Sequence, residues 1–168
     1  MDFRTDILPQ RDRLYRLALG ITLHTAEAED VVQDTMMRAW EQRSQWAEIQ
    51  NVGAWLVQIC RNLALDRKKR AQHESGAVPE DFPEASHQSS SLSETLDARE
   101  SLTLLSRLMA QLPPPQDEVV RLRDIEGLSY HEVAVALDLS EDQVRVYLHR
   151  GRQKLREQYL RLQNYGLQ

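Results

Sequence analysis

"LSYHEVAVALDLSEDQVRVYLHRGRQKLRE", residues 128–157, carries two helix starts eleven residues apart. Ser129 with Glu132, and Ser140 with Gln143, both have the capping-box spacing, in which a serine hydroxyl and the side chain three residues on satisfy each other's unpaired backbone amides. A short turn, Asp138-Leu139-Ser140, separates the helices they open. Val133, Ala134, Leu137, Leu139, Val144 and Leu148 are the apolar residues available to close the angle between them, so the stretch predicts a helix-turn-helix.

In that motif the second helix enters the major groove of DNA. Val144, Leu148, Gly151 and Leu155 are expected to face inward, leaving Arg145, Val146, His149, Arg150 and Gln153 on or near the opposite face. The planar fork of arginine matches guanine edges and phosphates, which makes Arg145 and Arg150 the favoured contacts. Arg152, Lys154 and Arg156 are expected at phosphates or in solvent. A plainer reading is that cations collect near helix C-termini because they suit the dipole there. The paired capping boxes and the turn favour the DNA-binding reading. A metal role for His149 is disfavoured, because the five histidines, at 24, 73, 87, 131 and 149, form no ligand spacing.

The chain has 168 residues, room for one ordinary domain or two small ones, and 41% of them are hydrophobic. There is no apolar run of about eighteen residues or more, and the start "MDFRTDILPQRDRLYR" lacks the basic-then-apolar layout of a signal peptide. A soluble, cytoplasmic protein is expected. Cys60 is the single cysteine, so an internal disulfide is impossible, a cysteine-based zinc site is disfavoured, and the thiol is expected to be a buried small hydrophobe. Six glycines form no phosphate-cradling loop, and no His, Cys and Ser stand at catalytic spacing. The expectation is a protein that is not an enzyme, with no cofactor, no metal site and no small-molecule substrate.

A formal charge of −5 hides strong segregation. Residues 61–70 hold five basic residues against one acid, and 145–161 hold six against one. Residues 71–100 hold seven acids and one arginine. The middle, "HESGAVPEDFPEASHQSSSLSE", has the Ser, Pro and Glu content of a linker that cannot bury enough surface to order itself. The fold class expected is all-α: two small helical domains, residues 1–71 and 97–168, joined by a flexible acidic linker at 72–96. An acidic protein is repelled by DNA, so weak binding alone and dependence on a larger partner are expected.

Three helices are expected in the N-terminal domain. Leu14, Leu17, Ala18 and Ile21 make one helix face. Thr25 is the expected N-cap of the second, with Glu27, Glu29 and Asp30 suiting its dipole and Ala28, Val32, Thr35, Met36 and Ala39 as its buried stripe. Asn51 caps the third, whose expected stripe is Val52, Trp55, Leu56, Ile59 and Leu63. In the C-terminal domain Leu102, Leu105, Leu108, Met109 and Leu112 form a helix stopped by "PPP" at 113–115, since proline cannot donate the bond a helix interior needs. A short helix with Val119, Val120 and Leu122 then ends at Gly127.

"AEAEDVVQDTMMRAW" (26–40), "AWLVQICRNLALDRKKR" (54–70) and "LPPPQDEVVRLRDIEGLSYHEVAVALDLSEDQVRVYLHRGRQKLRE" (112–157) together resemble the blocks of extracytoplasmic-function (ECF) sigma factors, the compact promoter-specificity subunits of bacterial RNA polymerase. Three blocks in order make the resemblance specific. It implies that Asp30, Gln33 and Asp34 dock on the clamp helices of core RNA polymerase. It implies that the loop Ser44–Gln50 and the third helix open the minus-ten element of promoter DNA and capture a flipped base. Ser44 and Trp46 would act in that loop, Asn62 as polar reader, and Arg61, Arg67, Lys68, Lys69 and Arg70 as the positive track. Trp46 stacks on a base or packs its loop onto the domain; Trp40 and Trp55 are assigned to the core. The minus-thirty-five element would be read by Ser140, Arg145, Val146, His149, Arg150 and Arg152. An anti-sigma factor is a further implied partner.

Arg145-Val146-Tyr147 replaces the Lys/Arg-Ser-Arg of many relatives, so no promoter sequence carries over. Gly151, often alanine in the family, is expected to cost the helix about 1 kcal/mol. Two other classes remain open: a dimeric helix-turn-helix regulator of palindromic operators, and a helical adaptor that binds only protein.

Overall fold

The computed structural model describes residues 1–74 and 92–166, and these are helix and turn with no strand among them. Most of the expected linker, at 75–91, lies outside the described residues, as does the side chain of Leu102. The described residues fall into two compact units, an N-terminal one that also takes in Val135–Asp138 and a C-terminal one made of the rest.

In the N-terminal unit a wide turn at Phe3–Ile7 and a tight one at Leu8–Gln10 lead into α1 (Arg11–Thr22). Leu14, Leu17, Ala18 and Ile21 are buried, as their spacing requires. The helix stops at Leu23, which takes a left-handed φ of 56° and whose amide donates to the Leu19 carbonyl at 2.9 Å. α2 (Thr25–Glu41) begins one residue earlier than its sequence suggests: His24 is the N-cap, its Nδ1 accepting from the Glu27 amide at 3.4 Å, and Thr25 is already helical. Asn51 caps α3 (Val52–Glu74) as expected, accepting from the Ala54 amide at 2.9 Å.

These three helices pack on one another in every pairing. Burying each large aliphatic side chain is worth about 1.5–3 kcal/mol, so packing rather than intrinsic propensity holds them. The buried face of α3 is Ala54, Leu56, Val57, Cys60, Leu63 and Ala64; Val52, Trp55 and Ile59 of the expected stripe are only half-buried. On α2 Val31 is buried, whereas Met36 is half-exposed. Thr35 lies fully buried at no polar cost, its hydroxyl donating to the Val31 carbonyl at 2.7 Å.

In the C-terminal unit α4 (Leu92–Ala110) ends ahead of the three prolines, with Leu108, Met109 and Leu112 buried. α5 (Gln116–Val120) buries Val119 and Val120, then widens over Arg121–Ile125, burying Leu122, and closes at Gly127 with φ +73°. Both capping boxes form. Ser129 accepts from the Glu132 amide at 3.1 Å while its own amide donates to Glu132 at 2.7 Å. Ser140 and Gln143 repeat this at 3.1 and 2.9 Å. They open α6 (Tyr130–Leu137) and α7 (Glu141–Gly166), separated by Asp138 at φ 55°.

Gly151 has a use that composition alone does not disclose. A β-carbon there would stand 2.6 Å from Val120 Cγ2 and 3.5 Å from the Gln116 carbonyl oxygen. α7 therefore packs on α5 where the Val120 side chain leaves no room for a β-carbon at position 151.

Candidate functional site

α7 buries Val144, Leu148 and Gly151 on one side and exposes Arg145, Val146, His149 and Arg150 on the other. This is the division between a packed and an open face that the apolar spacing of α7 predicts. Arg145 does not wave in solvent. Its guanidinium lies over the Tyr130 ring at 5.3 Å and pairs with Asp142 at 3.1 Å and Glu141 at 3.6 Å. Tyr130 also receives Arg123 at 4.8 Å, whose Nη1 donates to the Leu128 carbonyl at 2.9 Å. A chain of cation–π contacts thus ties α7 to the start of α6.

Arg152 is exposed but forked onto Asp124, with Nε donating to Oδ2 at 2.8 Å, and this pairing raises its pKa above the ordinary arginine value. Ser140 spends its hydroxyl on the Gln143 amide.

In the N-terminal unit Ser44 and Trp46 sit on a tight helical turn, Arg43–Glu48, where sequence suggested an open loop. Trp46 is half-buried, and its indole Nε1 donates to the Ala39 carbonyl at 2.9 Å. Trp40, assigned to the core from sequence, is instead 51% exposed. Its position is one residue, or about 100° of helix, beyond buried Ala39, and that rotation carries it onto the surface. There it meets Phe3 edge-on at 5.6 Å, Trp46 at 6.1 Å and Arg43 at 5.0 Å from the ring centre. Sequence reasoning missed Trp40 and Arg43 as surface groups and half-buried Phe3 as their neighbour; the helical angle of Trp40 was the available signal.

On α3 Asn62, Lys68, Lys69 and Arg70 are exposed and Arg61 is half-buried. Arg67 turns to α2, donating to Glu27 at 2.9 Å, Asp30 at 3.3 Å and Asp34 at 2.8 Å. The hydrogen bond it donates to Glu27 contributes most to raising its pKa above the usual arginine value, with Asp34 adding to it. Asp30 and Gln33 are exposed and Asp34 half-buried, so α2 presents a polar edge beside this cluster. No group of three or more His, Cys, Asp or Glu among the described residues could hold a metal. No described helix is long and apolar enough to cross a membrane.

Residues 9–74 match the family model described as Sigma-70 region 2, and residues 102–155 match that of Sigma-70, region 4. The chain is 35% identical over 156 residues to the ECF RNA polymerase sigma factor SigE of Mycolicibacterium smegmatis, an alignment covering 87% of this chain and 57% of SigE. It is 30% identical to SigL of Mycobacterium tuberculosis, covering 92% of this chain and 85% of SigL. Among solved structures, the sigma factor RpoE in complex with the anti-sigma factor NepR from Bartonella quintana superposes with a TM-score of 0.74 at 27% identity, over 93% of this chain and 95% of RpoE. CnrH, solved with the cytosolic domain of CnrY, shares the fold at a TM-score of 0.68 and 24% identity, over 94% and 86% of the two chains.

Proposed function

The chain belongs to the ECF sigma factors of RNA polymerase, and we propose that it binds core polymerase and directs it to promoters, assisting melting and initiation in the cytoplasm with no reaction of its own. One observation carries this reading: α7 keeps Arg145, Val146, His149 and Arg150 clear of its packed face, behind a turn fixed by two capping boxes. Together with Ser140 and Arg152, these residues are the proposed reader of the minus-thirty-five element. Arg152 would have to leave Asp124 to reach a phosphate.

The N-terminal unit takes the minus-ten element in this reading. Ser44, Trp46 and Asn62 meet the displaced strand, with Arg61, Lys68, Lys69 and Arg70 along its phosphates. The Trp40 and Trp46 rings supply flat surface of the kind an unstacked base requires. Asp30, Gln33 and Asp34 form the docking edge for polymerase, and residues 72–96 serve as the strap between domains 1–71 and 97–168. With a net charge of −5, the chain gains useful promoter affinity only when polymerase holds both basic surfaces against one duplex. Two of the solved relatives above were captured with partner proteins, one of them an anti-sigma factor, which supports an anti-sigma factor as regulator of this chain too.

Sedimentation with core polymerase, followed by transcription from promoters selected out of genomic DNA, tests the reading. Co-sedimentation and chain-dependent initiation are expected. Tight binding of a palindromic operator by a dimer without polymerase would replace this reading with that of a conventional regulator.

A further inference from the structure

Arg67 sits within the basic run 61–70, and the family resemblance places it on the DNA track. Its guanidinium is engaged elsewhere. Glu27, Asp30 and Asp34 lie at i, i+3 and i+7 on one face of α2, and Arg67 reaches across from α3 to one oxygen of each, at 2.9, 3.3 and 2.8 Å. Three carboxylates so close repel one another, and a single guanidinium between them leaves an excess of negative charge. The side chains of Glu27, Asp30 and Asp34 are still 44, 58 and 42% exposed, whereas Arg67 is 27% exposed. The cation is the inner member of the cluster and the carboxylates face out.

We infer that Arg67 is a positioning residue of the polymerase-docking edge rather than part of the DNA track, fixing the Asp30 and Asp34 carboxylates for a cationic surface of the partner. The inference rests on the sigma-factor reading. Holding the carboxylates in place before binding removes side-chain freedom that docking would otherwise have to freeze. Arginine suits the task because its flat fork can serve three acceptors at once; the compact ammonium of lysine cannot span them. Arg67 would then stay on α2 in the complex, while Lys68, Lys69 and Arg70 meet DNA.

The experiment measures the affinity of the full chain for core polymerase, and the salt dependence of promoter binding by holoenzyme assembled with saturating chain. Arg67→Gln should weaken core binding about fivefold, with Arg67→Lys recovering part of the loss. In an Asp34→Asn background the effect of Arg67→Gln should shrink, since one of the groups it positions is gone. The salt slope of promoter binding should stay as in the wild type. Unchanged core affinity for Arg67→Gln, or a slope lower by about 0.7 as for one lost strand phosphate, overturns the inference and leaves the sigma-factor reading standing. Should the wild-type chain itself fail to bind core, both fall. If circular dichroism shows Arg67→Gln to be unfolded, Glu27→Gln replaces it: loosening one anchor of Arg67 must weaken core binding in the same direction, and unchanged binding overturns the inference.

Discussion

The guanidinium of Arg145 stands 5.3 Å from the centre of the Tyr130 ring, so a residue that opens α6 sets the pose of a residue proposed to read DNA from α7. Tyr130→Ala removes that platform. Affinity of the holoenzyme for a minus-thirty-five element should drop about two- to fivefold, the worth of a partly exposed cation–π contact, and Tyr130→Phe should keep most of it. Equal losses in both variants would show that the hydroxyl, not the ring face, does the holding.

Gly151→Ala pits two effects against each other. Alanine is the better helix former by about 1 kcal/mol, but its β-carbon would strike Val120 Cγ2 at 2.6 Å. Overpacking costs about 1–3 kcal/mol, so a net destabilisation is expected in urea unfolding. In a Val120→Ala background the clash is gone, and the same substitution should become neutral or stabilising.

The two proposed surfaces should separate by mutation. Gln33→Ala is expected to weaken core binding with helicity unchanged, because Gln33 is exposed on α2 away from the buried stripe. Arg150→Ala should spare core binding and cost about 1–3 kcal/mol at the minus-thirty-five element if it meets a base edge. Loss of helicity in both would remove the role assignment.

Alkaline stability should report Cys60. Burial pushes its thiol up to about 12, with the neighbouring Thr35 hydroxyl pulling the other way. An unfolded thiol ionises near about 8.5, so above that pH the unfolded chain loses a proton that the fold retains. The contribution is complete below that pH, and stability falls as pH rises toward 12, by up to about 1.4 kcal/mol per pH unit. Between pH 8 and 10 the wild type should lose about 2 kcal/mol more than Cys60→Ala. Parallel curves would mean that water reaches the thiol.

Much of this was legible in the residues. The α1 face came directly from apolar spacing, and both capping boxes closed as the Ser129–Glu132 and Ser140–Gln143 pairs required. The packed face of α7 followed from Val144 and Leu148. α3 was harder because it is apolar on several sides, and size misled: Ala54, Cys60 and Ala64 took the interior while Val52, Trp55 and Ile59 turned partly outward. The wide turn at Phe3–Ile7 is too short to leave a periodic signature, yet it buries Ile7 completely. For the proposed site, sequence marked which cations lie together but not which way each points. Arg67 and Lys68 are neighbours in the chain, and only the packing of α3 on α2 turns the first to carboxylates and leaves the second exposed.

All three tryptophans, Trp40, Trp46 and Trp55, belong to the N-terminal unit. Excited at the red edge of protein absorption, the molecule therefore glows from one half alone. Because Trp40 is half open to solvent, anything that covers it should shift the emission toward blue, giving an unlabelled optical readout of that surface while the other half stays dark.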